Sequence, residues 1–235
     1  MAYQAMFKRW ELKYLLSTAQ KEKLLAAMAP HMALDNYGKT TIRNVYFDTS
    51  DYRLIRNSIE KPVYKEKLRL RSYRRAEADS PVFVELKKKY KGIVYKRRLE
   101  LPEQAAMAWI AGSCQPPPGQ IGAEIEYFRK FYRDLHPTVF LSYDREAYFC
   151  RAGGDFRVTF DDHIQCRQEG LSLGQEIGGC SILPEDSVLM EIKTSGGIPL
   201  WMTQVLTREG IYKTSFSKYG TAYRTMIYTG DRSYA

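Results

Sequence analysis

Glutamate and lysine recur one residue apart at three places in this sequence, each time with an aliphatic residue between them. The pairs are Glu11 and Lys13, Glu85 and Lys87, and Glu191 and Lys193. Because alternate side chains of an extended strand point to the same face, each pair would place a carboxylate beside an ammonium group. Carboxylate oxygens are the ligands that Mg²⁺ and Mn²⁺ prefer, and ammonium groups bind phosphate oxygens. The repeated pair therefore indicates chemistry on a metal-bound phosphate compound.

The most concentrated positive charge lies in a predicted strand over residues 63–74. Four cations occupy alternate positions and share one face: Lys65, Lys67, Arg69 and Arg71. The opposite face carries Leu68 and Leu70, as a packed sheet requires. Four like charges on one strand face repel one another, so this face needs solvent, carboxylates or a polyanion opposite it. Taken alone, the strand fits either a solvated outer face or a charged interior.

Other predicted strands repeat this alternation, and helices fill the intervals between them. The eight predicted strands cover residues 7–15, 40–47, 63–74, 81–89, 93–101, 138–149, 155–162 and 187–194. The predicted helices cover residues 18–30, 103–112, 123–135, 199–209 and 217–228, the first opened by a capping box of Ser17 and Gln20. Short segments at this spacing favour an antiparallel sheet in an α+β fold. The sheet is either open and solvated, or rolled up with its charged face inward.

The positive charge of the chain is unevenly distributed. The 235 residues have a formal net charge of +9, and residues 61–100 hold 14 Lys and Arg against 5 Asp and Glu, which is the whole surplus. Such a stretch indicates an anionic partner: nucleic acid, an acidic membrane face or a polyphosphate compound. No apolar run reaches the roughly 20 residues of a membrane span, and the four cysteines lack zinc-site spacing. We expect a cytoplasmic protein with reduced thiols.

Eight short motifs occur in order along nearly the whole chain. They are E-x-K-Y at 11–14, Y-F-D-T at 46–49, K-x-R-x-R at 67–71, V-E-x-K at 84–87, Y-x-R at 143–145, R-x-x-x-D at 157–161, E-x-K at 191–193 and S-K-Y at 217–219. Together they resemble the triphosphate tunnel metalloenzyme (CYTH-like) superfamily, and more closely its VTC branch, the polyphosphate polymerase domain. The resemblance implies a single domain over residues 1–235, of the bacterial single-domain type. Its fold would be a closed antiparallel eight-stranded barrel with helices packed outside, holding a triphosphate and a Mn²⁺ or Mg²⁺ ion.

The resemblance also implies roles for individual residues. The candidate catalytic residues are Arg69, Arg71, Arg145, Arg157 and Lys218. The candidate substrate-binding residues are Lys13, Lys67, Lys87, Tyr143 and Lys193. Glu191 and Glu11 are the candidate metal ligands, whereas Tyr46 to Asp48 is interpreted as a structural strand end. Because adjacent strand residues cannot all face inward, Lys88 and Arg97, or their neighbours, are predicted to lie outside the barrel.

One departure from the superfamily pattern bears on the reaction. The superfamily that this chain resembles carries the pattern E-x-E-x-K in its first strand, whereas this chain has only Glu11 and Lys13. The missing acid favours the VTC branch over two-metal hydrolases, so the first hypothesis is a polymerase that transfers the γ-phosphoryl group of ATP to a growing polyphosphate chain. The alternatives are a metal-dependent hydrolase of triphosphates and a non-catalytic module that binds polyphosphate. Nucleic acid is not the expected partner, because glutamates among the cations would repel its backbone. The sequence identifies no membrane-protein partner for the product.

Overall fold

One large antiparallel sheet organises the protein in the computed structural model, which describes residues 10–227. Its strands are β1 (Trp10–Ser17), β2 (Met32–Leu34), β3 (Thr40–Asp48), β4 (Tyr64–Ser72), β5 (Pro81–Tyr90), β6 (Ile93–Pro102), β7 (His136–Cys150), β8 (Arg157–Arg167), β9 (Cys180–Ser181), β10 (Ser187–Thr194) and β11 (Lys213–Thr214). The order across the sheet is β11-β1-β10-β8-β7-β3-β4-β5-β6, with β2 paired to β7 and β9 paired to β8. Each predicted strand coincides with one of the longer strands, although residues 7–9 lie outside the described part. The three shortest strands were not predicted.

Six helices and one π-helical turn accompany the sheet. They are α1 (Thr18–Met28), α2 (Arg53–Ile59), α3 (Glu103–Ile110), α4 (Gln120–Tyr132), α5 (Leu200–Arg208) and α6 (Lys218–Ala222), followed by the π-helical turn (Tyr223–Ile227). The predicted capping box is present. The Ser17 hydroxyl accepts a hydrogen bond from the backbone N–H of Gln20, and the side-chain oxygen of Gln20 accepts one from the backbone N–H of Ser17. The last predicted helix is divided between α6 and the π-helical turn, and its residue 228 lies outside the described residues.

Helix α2 was not predicted from the sequence, and its first turn is held by the residues that end β3. The carboxylate of Asp48, at the end of β3, accepts hydrogen bonds from the backbone N–H groups of Thr49, Leu54 and Ile55. It also accepts one from the Tyr219 hydroxyl at 2.9 Å. Asp48 is fully buried, so it anchors α2 and α6 to the sheet. The interpretation of this strand end as structural agrees with these contacts.

The convex face of the sheet is apolar and covered by helices, as predicted for the outer face. Over β3 to β6, residues such as Leu68, Leu70 and Val84 form a core with Trp109 of α3 and Phe128 of α4. Over β1, β8 and β10, a second core forms from the facing strand residues, α1 and α5. Burial of these side chains contributes about 25 cal/mol for each Å² of apolar surface removed from water.

The concave face combines a charged part and an apolar part. Leu141 and Leu189 on this face pack with Ile55 of α2, Tyr219 of α6 and Tyr223 of the π-helical turn. This packing holds α6 against the concave face, which brings the first residue of α6, Lys218, to the charged part. A β-bulge in β8 shifts the pairing with β7, and His163 at that point has φ of 47°.

The sheet curls strongly, but backbone hydrogen bonds do not close it. Glu11 on β1 and Lys87 on β5, which lie far apart in the strand order, are joined by a side-chain hydrogen bond of 2.8 Å. Within residues 10–227, however, no ladder joins β6 to β1 or β11. The outer edge of β1 pairs instead with β11, through Lys13 and Tyr14. The closed eight-stranded barrel is therefore not confirmed, and side chains span the remaining seam.

No helix in the described part of the chain is both long enough and apolar enough to cross a membrane.

Candidate functional site

The concave face of the sheet encloses a cavity of about 2010 Å³, named the chamber here. All twelve residues predicted for the site line it: Glu11, Lys13, Lys67, Arg69, Arg71, Lys87, Tyr143, Arg145, Arg157, Glu191, Lys193 and Lys218. They come from β1, β4, β5, β7, β8, β10 and α6. The alternation of strand side chains brings eleven of them together on inward positions, and the packing of α6 adds Lys218.

One buried carboxylate organises the cations of β4 and β6. Glu85 is 1% exposed and forms ion pairs with Lys96 at 2.6 Å, Arg69 at 2.8 Å, Arg98 at 3.6 Å and Arg71 at 3.8 Å. Burial alone would raise its pKa, but the neighbouring guanidinium and ammonium groups hold that pKa well below its usual range. Glu85 is therefore ionised at neutral pH, and it fixes the directions of four cations around the chamber.

A second group of charges surrounds two carboxylates on β8 and β10. Asp161 accepts two hydrogen bonds from Arg145, at 2.6 and 2.7 Å, and a further one from Lys218. Glu191 forms ion pairs with Lys193 at 3.2 Å, Lys13 at 3.4 Å, Lys218 at 3.6 Å and Arg145 at 3.9 Å. Although burial opposes ionisation, these cations hold the pKa of Glu191 well below its ordinary value. Both carboxylates are thus charged.

Tyr143 connects the two groups. Its hydroxyl accepts a hydrogen bond from Arg71 at 3.0 Å, while Lys218 and Arg145 lie 4.5 and 5.1 Å from the centre of its ring. Burial would raise the pKa of this phenol, but Arg71, Arg145 and Lys218 lower it to about 8. The protonation state of this phenol therefore depends on the charges around it, and an anion that enters the chamber would favour the neutral form.

The first strand contributes an acid and a base. Glu11 is paired with Lys87, and despite burial its pKa is lowered to about 2 by Lys87 and Lys193. The Lys13 ammonium donates to the backbone carbonyl of Phe216 at 2.8 Å, across 203 positions of sequence. These contacts join β1 to β5 and to the segment before α6, so both ends of the described chain take part in the chamber.

Lys67 differs from the other cations because its neighbours are mainly positive. Its ammonium group donates to the Ser217 hydroxyl at 3.0 Å. Burial, followed by the charges of Lys13, Lys65, Lys87 and Arg69, lowers its pKa to about 7. At pH 8 this amine is mostly neutral, and an entering polyanion would favour its protonation.

Binding of tripolyphosphate at pH 8 is therefore expected to take up protons, and the affinity is expected to fall as the pH rises above about 7. The sign follows from the charged form of Lys67 being the form that the anion stabilises. Calorimetric titrations in two buffers of different ionisation enthalpy measure the uptake. Lys67→Met should reduce it by up to one proton, whereas Lys39→Met, which removes a cation from the outside of the sheet, should not. Equal uptake in wild type and Lys67→Met would contradict this assignment.

Two carboxylates of the chamber lie close enough in the sheet to hold a metal ion together. Glu191 and Glu11 are diagonal neighbours on paired strands, both are ionised and both line the chamber, although lysines are paired with each of them. Asp161 is fully buried and is not a lining residue. Within residues 10–227, the one group of three converging metal-type ligands is Asp144, Asp162 and His163, and these residues do not line the chamber. Magnesium-like ions are commonly held by one or two carboxylates together with substrate phosphates. Glu191 and Glu11 fit that arrangement.

Five charged residues that line the chamber or pair with its cations were absent from the predicted site. They are Lys65, Lys96 and Arg98 of the lining, and Glu85 and Asp161 behind it. The signal for each was present, because each occupies an inward position of a predicted strand. Alternation also places Lys88 and Arg97 on the other face, where Arg97 pairs with Glu124 of α4 at 2.7 Å. The strand register, which pairs Lys87 with Lys96, places Lys96 and Arg98 on the inward face of β6.

Comparison with known proteins gives one family and a set of similar folds. The VTC domain model matches residues 8–227, and no curated protein gives a match. A proposed adenylate cyclase from Bacillus halodurans has a TM-score of 0.56 at 15% identity, over 90% of this chain and 96% of that one. A proposed adenylyl cyclase from Hippeastrum, described as having a dominant triphosphatase activity, has a TM-score of 0.55 at 18% identity, over 93% and 96%. A proposed adenylate cyclase from Vibrio parahaemolyticus gives 0.53 at 10%, over 93% and 99%. At these identities the likeness concerns the fold.

Proposed function

The chain belongs to the VTC domain family and has a fold of the triphosphate tunnel type, and from this we propose that it is a polyphosphate polymerase. It would transfer the γ-phosphoryl group of ATP to the end of a polyphosphate chain inside the chamber. The observation that carries the proposal is the charge of the lining: seventeen Lys and Arg residues against five Asp and Glu. This surplus exceeds what one triphosphate neutralises, and it suits a donor and a polyanionic acceptor bound together.

In the proposed reaction, the terminal oxygen of polyphosphate forms a bond to the γ-phosphorus as the bond to the β–γ bridging oxygen breaks, and ADP leaves. Phosphoryl transfer depends mainly on positioning and on neutralising charge, so no side-chain nucleophile is required. Arg69, Arg71, Arg145 and Arg157 would bind non-bridging oxygens, with Lys218 beside the transferred group. Glu85 and Asp161 hold three of these arginines and Lys218 in place, which lowers the reorganisation needed during transfer.

The remaining inward residues would hold the rest of the two polyanions. Lys13, Lys67, Lys87, Lys193 and Tyr143 are the proposed contacts to neighbouring phosphates. Glu191 and Glu11 would hold Mn²⁺ or Mg²⁺, which would supply positive charge to the phosphates of the donor. We also infer a cytoplasmic location, where ATP is available and the four free cysteines stay reduced.

Hydrolysis is the second candidate, with water in place of the polyphosphate end. The volume of the chamber, about 2010 Å³, favours it because such a space admits water beside a bound triphosphate. The triphosphatase activity described for the Hippeastrum protein agrees with this alternative.

Incubation of the purified protein with ATP and Mn²⁺, followed by sizing of the phosphate products on a gel, distinguishes these readings. We expect ADP and long phosphate chains, with one ADP released for each phosphate added to a chain, because the cations of the chamber neutralise an anionic acceptor. Orthophosphate as the sole phosphate product would replace polymerisation by hydrolysis. Unchanged ATP together with tight binding of added polyphosphate would identify a non-catalytic binding module. A reaction without protein is the control.

A further inference from the structure

A polar row crosses the convex face of the sheet, between its two apolar cores. Arg43 on β3 is the direct cross-strand partner of Ser72 on β4 and of Ser142 on β7. Direct partners in antiparallel strands project to the same face. The exposed fractions are 7% for Arg43, 2% for Ser72 and zero for Ser142. The row is therefore almost completely withdrawn from water. Arg43 and Ser142 do not line the chamber, whereas Ser72, at the end of β4, borders it.

The polar atoms of this row lack partners. Among residues 10–227, neither the Nε atom of Arg43 nor the hydroxyl oxygens of Ser72 and Ser142 make a hydrogen bond, although all three atoms are buried. No carboxylate in the described chain forms an ion pair with the Arg43 guanidinium. Buried polar groups are nearly always hydrogen-bonded, and a buried charge is normally paired. Three orphaned atoms on three neighbouring strands indicate that an external group belongs there.

The charge around the row is also uncompensated. The Arg167 guanidinium is close enough that its pKa is lowered, first by burial and then by the charge of Arg43. Arg167 donates to the backbone carbonyls of the loop after β8, including those of Gly170 and Gly178, and these carry no net charge. The carboxylate acting on Arg43 is that of Glu176, but it is paired with Arg75 and largely exposed. Thus neither the buried Arg43 nor the half-buried Arg167 forms an ion pair with a carboxylate of the described residues.

We propose that Arg43, Ser72 and Ser142 form a second anion site, which binds a tetrahedral oxyanion such as orthophosphate. The Nε and terminal nitrogens of a guanidinium form a fork that matches two oxygens of such an anion. The two hydroxyls lie on the strands on either side, each about 5 Å from the β3 backbone, where they reach further oxygens. Water would satisfy the hydrogen bonds but would leave the positive charge unbalanced. Because Arg43 and Ser142 are not among the residues that line the chamber, substitutions at these two positions distinguish occupancy of this site from occupancy of the transfer site.

Equilibrium dialysis against radiolabelled orthophosphate at constant ionic strength tests the site directly. Wild-type protein is expected to bind one more phosphate than Arg43→Met, whatever the chamber itself binds. Arg208→Met makes the same change at an exposed arginine of α5 and should match the wild type. Chloride at equal ionic strength should not raise the thermal midpoint of either wild type or Arg43→Met. Phosphate should raise the wild-type midpoint by more than the shift that both proteins share through the chamber.

Two further variants keep the test decisive if Arg43→Met folds poorly. Ser142→Ala retains the charge and should weaken phosphate binding at this site about tenfold, the effect of one hydrogen bond to a charged group. Glu176→Gln should tighten it, because a competing negative charge is removed. Equal phosphate stoichiometry in wild type and Arg43→Met would overturn the proposal. So would a loss of stability in Glu176→Gln that phosphate does not restore, since Glu176 would then be the internal counterion of Arg43.

Discussion

Replacement of Glu191 by glutamine is expected to lower turnover of ATP by about a thousandfold, with little loss of polyphosphate binding. The substitution preserves the shape of the side chain and removes one negative charge from the centre of the chamber. Lys13, Lys193, Lys218 and Arg145 all lie within 4 Å of that charge. Without it, the proposed metal ligand is lost, but the cations that attract phosphate remain. Steady-state rates and a binding isotherm for tripolyphosphate measure the two effects.

The control for this experiment is Glu100→Gln. Glu100 also lines the chamber, but it is exposed on β6 and has no predicted role. Its replacement removes the same charge and should change the rate less than threefold, in the range of a surface substitution. Normal turnover in Glu191→Gln would exclude Glu191 as a metal ligand. Loss of binding together with turnover would instead indicate that Glu191 holds the chamber in shape.

Replacement of Glu85 by glutamine is expected to lower the free energy of unfolding by about 3–5 kcal/mol. Glu85 is the buried carboxylate of an ion-pair group with Arg69, Arg71, Lys96 and Arg98. Its removal leaves four cations facing one another with little solvent between them. Urea unfolding at pH 7 gives the loss. Glu124→Gln, which breaks the more exposed pair with Arg97 on the outside, is the matched control and should cost about 1 kcal/mol or less.

The stability of Glu85→Gln is expected to depend more on tripolyphosphate, and less on acid pH, than the stability of the wild type. Tripolyphosphate brings oxygens to the unpaired arginines, so it should raise the unfolding midpoint of Glu85→Gln more than that of the wild type. The folded-state pKa of Glu85 is lowered, so its stabilisation is present above the unfolded pKa and disappears as pH falls through the folded pKa. Below about pH 4, therefore, wild type should lose stability more steeply than Glu85→Gln. An identical acid profile for the two proteins would show that Glu85 does not carry this charge.

The inward position of most site residues was predictable, because strand alternation is a local property of the sequence. Lys67, Arg69 and Arg71 alternate with Leu68 and Leu70, and this is enough to place them on one face once the strand is recognised. Alternation does not show whether the charged face is solvated or enclosed. Whether the face is enclosed depends on the curl of the sheet. The family resemblance implied this curl, and the hydrogen bond between Lys87 and Glu11 shows it in the structure.

Features that depend on distant partners were not predictable. The anchoring of α2 to α6 depends on the hydrogen bond from Tyr219 to Asp48, across 171 positions of sequence. The pairing of Asp161 with Arg145 and Lys218 requires the register of β7 with β8 and the position of α6. The open seam has the same origin, because the two residues of β11 occupy the edge of β1 that a closed barrel would use. Each is a tertiary contact, and no local pattern encodes it.

The hydrogen bond between Lys13 and Phe216 has a consequence for how the protein is made. A ribosome synthesises the first strand early, but the residues that complete the wall around it emerge only after some 200 further residues. Until Lys218 has been added, Asp161 and Glu191 lack one of their cations. A nascent chain therefore completes the charged lining of the chamber only late in its synthesis, after Phe216 and Lys218 have been added.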